Sequence, residues 1–163
     1  MSKKVLIVDD DIDVINIVET ILKNEGYTVI TANDKKEGMK KLQETQPDLA
    51  ILDVMMTTHF EGFELAKEIS DVQKAKKIPV LIQTSIEVLD TTDPDVIGMA
   101  REYRRQFKNR ELDVLLIQNN KHNLAGIDYI NTLGQNVYVS VDGFVRKPVE
   151  MKWLLKEVKR LIG

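Results

Sequence analysis

Three acidic residues directly follow an apolar run near the start of the chain. The run spans residues 5–8, and the acids are Asp9, Asp10 and Asp11. A second apolar run, residues 49–52, ends in the same way at Asp53. Carboxylates gathered in one place repel one another unless a cation lies among them, and hard divalent ions prefer oxygen ligands. The residues therefore predict a divalent metal site with one carboxylate left available for chemistry.

Length and composition predict one soluble domain. The chain has 163 residues, of which 43% are hydrophobic and 30% are charged, as in ordinary globular proteins. Its net charge of -3 gives no reason to expect nucleic-acid or membrane binding. The absence of cysteine excludes disulfides, thiolate metal sites and a cysteine nucleophile. No apolar run approaches membrane-spanning length, so we expect a soluble, cytoplasmic α/β protein.

The acids lie where strands give way to helices. A run of four aliphatic residues is typical of a strand buried on both faces, as in a parallel sheet. Apolar residues then recur at intervals of three and four from Ile12 to Leu22, which predicts a helix. Asp10 or Asp11 can cap its start, and Gly26 stands where a glycine would end it. Residues 27–32 are rich in β-branched side chains and predict the second strand.

The same alternation continues to residue 85. Asp34 and Glu37 form a capping-box pattern that opens a second helix through about Thr45. The Asp53 strand follows, then a third helix over Glu61–Ser70 and a fourth strand over 78–85. Strands and helices that alternate with short connections predict right-handed units and a parallel sheet.

Residues 86–138 break the alternation. Asp93 and Pro94 suit a helix start, and the apolar run over 112–117 fits a strand or a helix. The spacing of Ile127, Ile130 and Leu133 predicts another short helix. Because long unstructured loops are uncommon in compact domains, we expect this segment to carry its own helices. A short fifth strand over 143–148 and a last helix over 151–162 restore the order.

The residues at the strand ends form a specific set, namely Asp9, Asp10, Asp53, Thr84 and Lys147. This set and its order resemble the receiver domain of two-component response regulators. The resemblance covers residues 1–85 and about 139–163. It implies a flavodoxin-like, doubly wound, five-stranded parallel sheet in the order 2-1-3-4-5, with helices on both faces. The chain would be a single receiver domain, 1–163, with 86–138 as an enlarged segment between strands 4 and 5.

The resemblance assigns a role to each acid. The ligands of Mg²⁺ would be Asp9, Asp10, Asp53 and the backbone carbonyl of Met55. Asp53 would also be the phosphoacceptor that attacks a phosphohistidine on a sensor histidine kinase or phosphotransfer protein. The metal and the Lys147 ammonium would neutralise the charge of the transferred group.

The resemblance also implies a switch. The Thr84 hydroxyl would donate to the new phosphoryl group, and Phe144 would turn inward as Thr84 moves. The Lys147–Pro148 peptide would be cis. The family usually has a proline shortly after the phosphoacceptor. Here Asp53 is followed by Val54, Met55 and Met56 without that proline, and the next loop is one residue longer than in the family. Met55 and Ile86 are apolar where the family controls water access, so we expect slow self-dephosphorylation. Beyond this and self-phosphorylation, we expect no enzyme activity.

Only one helix follows the Lys-Pro pair, so we expect a stand-alone receiver without a DNA-binding output domain. It would act on a downstream protein that the sequence does not identify, and a homodimer is left open. Residues 86–138 are expected to set the partner. Basic residues there form either a patch for an acidic partner or a solvated helix face; they are Arg101, Arg104, Arg105, Lys108 and Arg110.

Two other functions compete with this interpretation. A phosphohydrolase of the haloacid dehalogenase type would use Asp9 as its nucleophile, with Mg²⁺, a Thr and a Lys. The chain offers no second acid cluster after the lysine, and Asp53 would have no role. The other competitor is a receiver-like interaction module that signals without phosphorylation, which the complete acid set disfavours.

Overall fold

The computed structural model describes residues 2–53, 65–69, 78–84, 88–89, 102, 114–119, 124–130 and 135–163. The strands are β1 (Lys4–Val8), β2 (Thr28–Ala32), β3 (Leu49–Asp53), β4 (Val80–Thr84), β5 (Val88–Leu89), β6 (Val114–Asn119), β7 (Leu124–Ile130), β8 (Asn136–Val141) and β9 (Gly143–Arg146). The helices with described bounds are α1 (Ile12–Asn24), α2 (Lys35–Thr45) and α3 (Met151–Ile162). Residues 65–69 are also helical.

The chain forms two compact units. The first comprises residues 1–85 together with 144–163, and the second comprises residues 86–143. The sequence placed the unmatched segment at 86–138, so the second unit extends five residues further. It does so because β8 pairs with β7 rather than with the strands of the first unit. The division of the chain into domains remains a prediction.

The first unit contains a five-stranded sheet in the order β2-β1-β3-β4-β9. The pairs β1–β2, β1–β3 and β3–β4 run parallel. With β9 as the fifth strand, this is the predicted order 2-1-3-4-5, and the doubly wound fold is confirmed. In such a sheet the first and third strands are neighbours, which brings the ends of β1 and β3 together.

Alternating side chains of this sheet form the main core. Every second residue of a strand points to the same face. On one face these residues pack against α1 and α3, and the fully or almost fully buried members of the cluster are Val5, Ile7, Ile15, Val18, Leu22, Leu49, Ile51, Leu81, Val145, Leu154 and Val158. Burying each aliphatic side chain contributes about 1.5–3 kcal/mol.

The opposite face of the sheet is covered by α2 and the helical residues 65–69. Val8, which lies on that face, sits against Gly38 of α2, and so does Leu65. A Cβ built on Gly38 would lie 3.1 Å from Val8 Cγ2 and 3.2 Å from Leu65 Cδ2. Glycine therefore allows α2 to approach β1 closely, and helices cover both faces as predicted.

The helix ends follow local rules. The Asp11 carboxylate, rather than that of Asp10, caps α1 by accepting from the Asp13 N–H at 2.9 Å. Gly26 has a φ of +92°, which favours glycine just beyond the helix. The Asp34 carboxylate accepts from the Glu37 N–H at 2.8 Å, as the capping-box pattern predicted. The Asp11 cap places the start of α1 three residues after Asp9, at Ile12.

The second unit contains a four-stranded sheet in the order β5-β6-β7-β8. Strands β6 to β8 form antiparallel pairs, and β5 runs parallel to β6. The run over 112–117, left open between strand and helix, contributes to strand β6. The predicted helix starting at Ile127 is wrong, because Ile127 and Ile130 belong to β7, which is hydrogen-bonded on both sides.

We expected residues 86–138 to carry helices of their own. Most of the described residues in this range instead form strands, although Glu102 is helical. The predicted helix start at Asp93 and the basic residues between 101 and 110 lie outside the described residues. Among the helices that the structure describes, none has the length and apolarity needed to cross a bilayer.

Candidate functional site

The sheet places Asp9 and Asp53 side by side. Val8 of β1 pairs with Leu52 of β3, so the acids occupy the next positions of neighbouring strands. One carboxylate oxygen from each of Asp9, Asp10 and Asp53 lies within 4.8 Å of the others. Asp9 is 0% exposed and Asp53 5%, whereas Asp10 is exposed. The cluster is therefore closed on the protein side and open to solvent through Asp10.

Lys147 provides the positive charge of the site. Its Nζ lies 3.0 Å from Asp9 Oδ2 and 3.1 Å from Asp53 Oδ2. The lysine follows β9, and its backbone N–H donates to the carbonyl oxygen of Thr84 at 2.8 Å. The Lys147–Pro148 peptide is cis, as the resemblance implied. The ammonium thus bridges two carboxylates that belong to different strands.

The environment keeps Lys147 charged. Burial lowers its pKa, but the negative charge of Asp53 and the contacts with Asp9 raise it more, so that the pKa lies above the ordinary 10.5. The side chain is only 20% exposed, so these interactions are weakly screened. A permanent cation beside Asp53 is suited to stabilising negative charge that is added there.

The carboxylate of Asp9 is incompletely satisfied. Its Oδ1 accepts from the Asp11 N–H at 2.9 Å. Its Oδ2 contacts Lys147 as an ion pair but accepts no aligned hydrogen bond among the described residues. Each carboxylate oxygen has two lone-pair positions, so an oxygen that contacts only an ammonium can still bind a cation. Three carboxylates offer hard oxygen donors, so the site fits Mg²⁺ and does not suit a metal that prefers sulfur.

Thr84 and Phe144 both lie in the first unit close to the ends of their strands. Thr84 is the last residue of β4 and is 1% exposed. Phe144, in β9, is 8% exposed, so its ring is buried in this structure. The switch role of these residues remains a prediction. Met55, the loop over 57–62 and Ile86 lie outside the described residues.

The sequence analysis missed one polar residue of the central sheet. Gln83 is fully buried in β4 and pairs in register with Asp53. The available signal was a polar residue inside the otherwise apolar run of the fourth strand.

Comparisons with known proteins agree with this geometry. The family model described as the response regulator receiver domain matches residues 5–94, which is more than half of the chain. The chain is 38% identical over 85 residues to the alkaline phosphatase synthesis transcriptional regulatory protein PhoP of Bacillus subtilis, covering 52% of this chain and 34% of that protein. It is 29% identical over 165 residues to the probable transcriptional regulator ycf27 of Cyanophora paradoxa, covering 98% of this chain and 65% of that protein.

Solved structures show the same fold. The chemotaxis protein CheY4 of Vibrio cholerae has a TM-score of 0.62 and 25% identity, covering 99% of this chain and all of that chain. A receiver domain protein from Methanospirillum hungatei has a TM-score of 0.60 at 21% identity, covering 98% of this chain and 93% of that one. The chain spans less than two thirds of the length of the curated relatives described above. On the family match and the fold, this chain belongs to the response regulator receiver domain family of two-component signalling.

Proposed function

We propose that the chain is a phosphoacceptor response regulator in which Asp53 receives a phosphoryl group. The observation that carries the proposal is the Lys147 ammonium, which lies 3.1 Å from Asp53 and 3.0 Å from Asp9 within a cluster of three acids. The donor would be a histidine kinase or a phosphotransfer protein, consistent with membership of the family. Mg²⁺ would be held by the three acids and the backbone carbonyl of Met55.

Each residue has a defined task in the transfer. An oxygen of the Asp53 carboxylate attacks phosphorus, the phosphorus–nitrogen bond of the phosphohistidine breaks, and an acyl phosphate forms. Lys147 remains protonated and stabilises the oxygens that gain charge. Asp9 keeps the ammonium beside Asp53, and exposed Asp10 faces the side from which a donor arrives. When bound, Mg²⁺ neutralises charge on the transferred group and helps to align it.

The output of the reaction is a change in partner binding. The Thr84 hydroxyl donates to the phosphoryl group, and the Phe144 ring stays buried behind it. Thr84 and Lys147 are tied through the backbone hydrogen bond of 2.8 Å, so both strands respond to one event. The downstream target is a protein, and the chain itself does not contact nucleic acid or a membrane. We place the reaction in the cytoplasm, with slow self-dephosphorylation as the only further catalysis.

Mapping of the modified residue tests the proposal. The protein is incubated with phosphoramidate and Mg²⁺, and the phosphorylated residue is identified by mass spectrometry after trapping the acyl phosphate by reduction. We expect modification of Asp53 that requires Mg²⁺. Phosphate on Asp9 would instead indicate a phosphohydrolase. An unmodified protein, shown to be folded by circular dichroism, would favour an interaction module that signals without phosphorylation.

A further inference from the structure

Gln83 is an unusual residue for the centre of a parallel sheet. Its side chain is 0% exposed. Neither Oε1 nor Nε2 has a hydrogen-bond partner among the described residues. A buried carboxamide without a partner destabilises the fold, because it has lost its hydrogen bonds to water without forming new ones. Such a group calls for a functional reason.

The register places Gln83 next to the phosphoacceptor. Gln83 of β4 pairs with Asp53 of β3, and paired residues of parallel strands extend from the same face. Leu81, two residues earlier, belongs to the core cluster on that face together with Ile51 and Val145. Gln83 therefore continues this face towards the site, about one strand spacing of 4.8 Å from Asp53.

Lys147 must cross the strand that carries Gln83. The lysine follows β9, which neighbours β4 on the side opposite β3. Its Nζ nevertheless reaches Asp53, the last residue of β3, and Asp9, the first residue after β1. The lysine side chain therefore passes the C-terminal end of β4, the strand that carries Gln83. Gln83 thus belongs to the strand between those that carry Lys147 and Asp53, and both the amide and the lysine side chain are mostly buried.

The chemistry of the amide matches both neighbours. A carboxamide has one acceptor oxygen and two N–H donors, an ammonium has donors only, and a phosphoryl group brings acceptors. We propose that, once Asp53 is phosphorylated, the Gln83 carboxamide accepts from the Lys147 ammonium and donates to the phosphoryl group. Gln83 is thus a positioning residue that holds Lys147 on the modified Asp53, and this inference rests on the proposed function.

The proposal predicts opposite effects in the two states. In the unmodified protein the amide has no partner among the residues that the structure describes, so an apolar side chain of similar size is tolerated or stabilising. In the modified protein the same substitution removes two hydrogen bonds. A residue that only fills the core would change the stability of both states by the same amount. The difference between the states therefore separates positioning from packing.

Gln83→Met is the test variant, and Leu81→Met is its control. Both place a methionine on the same face of β4, but only the first removes a hydrogen-bonding group. Beryllium fluoride with Mg²⁺, which imitates a phosphoryl group on a carboxylate, is titrated while intrinsic fluorescence is recorded. We expect the Kd to rise at least about fivefold in Gln83→Met, or about 1 kcal/mol, which is the lower end for the loss of two net hydrogen bonds, and to stay unchanged in Leu81→Met.

Thermal unfolding without beryllium fluoride should give Gln83→Met a midpoint equal to or above that of the wild type. An unchanged Kd in Gln83→Met, or an equal change in both variants, would overturn the proposal.

Nuclear magnetic resonance of the wild-type protein provides a test that needs no folded variant. The side-chain ¹H–¹⁵N signals of Gln83 should move to higher proton frequency and exchange more slowly after treatment with phosphoramidate and Mg²⁺. If mass spectrometry finds phosphate on Asp53 while these signals stay unchanged, Gln83 has no such role and the proposed function stands. If Asp53 takes up no phosphate, the proposed function and this inference both fail.

Discussion

The two units of the chain use apolar strands in different ways. In the first unit parallel strands are covered on both faces, and their charged residues stand at the ends, where Asp9, Asp53 and Lys147 meet. In the second unit antiparallel strands carry a fully buried acid, Asp128, in the middle of β7. Among the described residues, Asp9, Asp10 and Asp53 form the one group of three acids close enough to share an ion.

The difference shows how topology creates a site. Parallel strands all end at one edge of the sheet, so the topology alone brings together polar residues at the ends of neighbouring strands. Antiparallel neighbours end at opposite edges, so their last residues do not meet. Asp128 lies within β7 and pairs in register with Tyr138 of β8. The buried acid of the second unit therefore lies within a strand, whereas the acids of the first unit meet at strand ends and form the candidate site. Four predictions test this contrast.

The largest expected effect concerns one buried acid from each unit, Asp53 and Asp128. Asp53→Asn should abolish phosphate uptake from phosphoramidate, because an amide oxygen does not form the acyl phosphate. Asp128→Asn, an equally conservative change in the second unit, should leave uptake within about twofold of the wild type, as expected for an independent site. Intact mass spectrometry measures both. Loss of uptake in Asp128→Asn would show that the contrast between the units is false.

The next effect concerns the charge of Lys147. Lys147→Met leaves two buried carboxylates without their cation and should lower the free energy of unfolding by about 2–3 kcal/mol at neutral pH without Mg²⁺. Lys159→Met, which removes an ion pair of 3.4 Å between exposed side chains, should cost less than about 1 kcal/mol. Urea unfolding provides the comparison.

Hydrogen exchange of the Lys147 variant locates the loss. Protection should fall in β1 and β3 and persist in β6 to β8. Addition of Mg²⁺ should restore part of the stability, because an ion bound to the folded state adds its binding free energy. A loss spread evenly over both sheets would contradict the distinction between the units.

Much of the first unit could be predicted because its signals are local. Near-continuous apolar runs define its strands, and Asp34 with Glu37 marks a helix start that the structure reproduces. The meeting of Asp9 with Asp53 then follows from strand order alone. Gln83 could not be assigned to the site from the sequence. Its position there depends on the strand register with Asp53 and on the position of Lys147, neither of which the sequence shows.

The second unit could not be predicted because its signals conflict. Ile127 and Ile130 have helical spacing, and β7 also contains Gly126 and Asp128, which are uncommon in strands. Pairing with β6 and β8 overrides these preferences, and the Tyr138 ring lies over Gly126. These contacts come from the neighbouring strands, outside the three- and four-residue spacing by which a helix is predicted. The alternating apolar residues of β8 were the signal that the sequence analysis overlooked.

A third, smaller effect compares one glycine in each unit. In Gly38→Ala the new methyl group presses on fully buried Val8 and Leu65, and we expect a net loss of about 1 kcal/mol after the gain in helix propensity. In Gly126→Ala it meets the Tyr138 ring, which is 54% exposed and free to turn outward, so the change should stay within about 0.5 kcal/mol. Thermal unfolding measures both. A larger loss in Gly126→Ala would show that Tyr138 is firmly held.

The smallest expected effect is the change in stability that the ionisation of Tyr138 causes at alkaline pH. Burial, followed by the negative charge of Asp128, raises the pKa of Tyr138 above its ordinary 10.0. The folded protein therefore keeps this proton longer than the unfolded chain, so stability is unaffected below pH 10 and falls as the pH rises through the folded pKa.

Deprotonation of Lys147 also lowers the stability of the fold at alkaline pH, because the protonated side chain pairs with two carboxylates. Its raised pKa contributes stability that is complete below 10.5 and is lost as the pH rises through the folded value. Tyr138→Phe should remove only the tyrosine part, which is small because solvent screens the half-exposed ring. The difference in unfolding free energy between wild type and Tyr138→Phe is measured from pH 9 to 12. If this difference stayed constant across the range, Asp128 would not act on Tyr138, and the alkaline response would belong to the first unit alone.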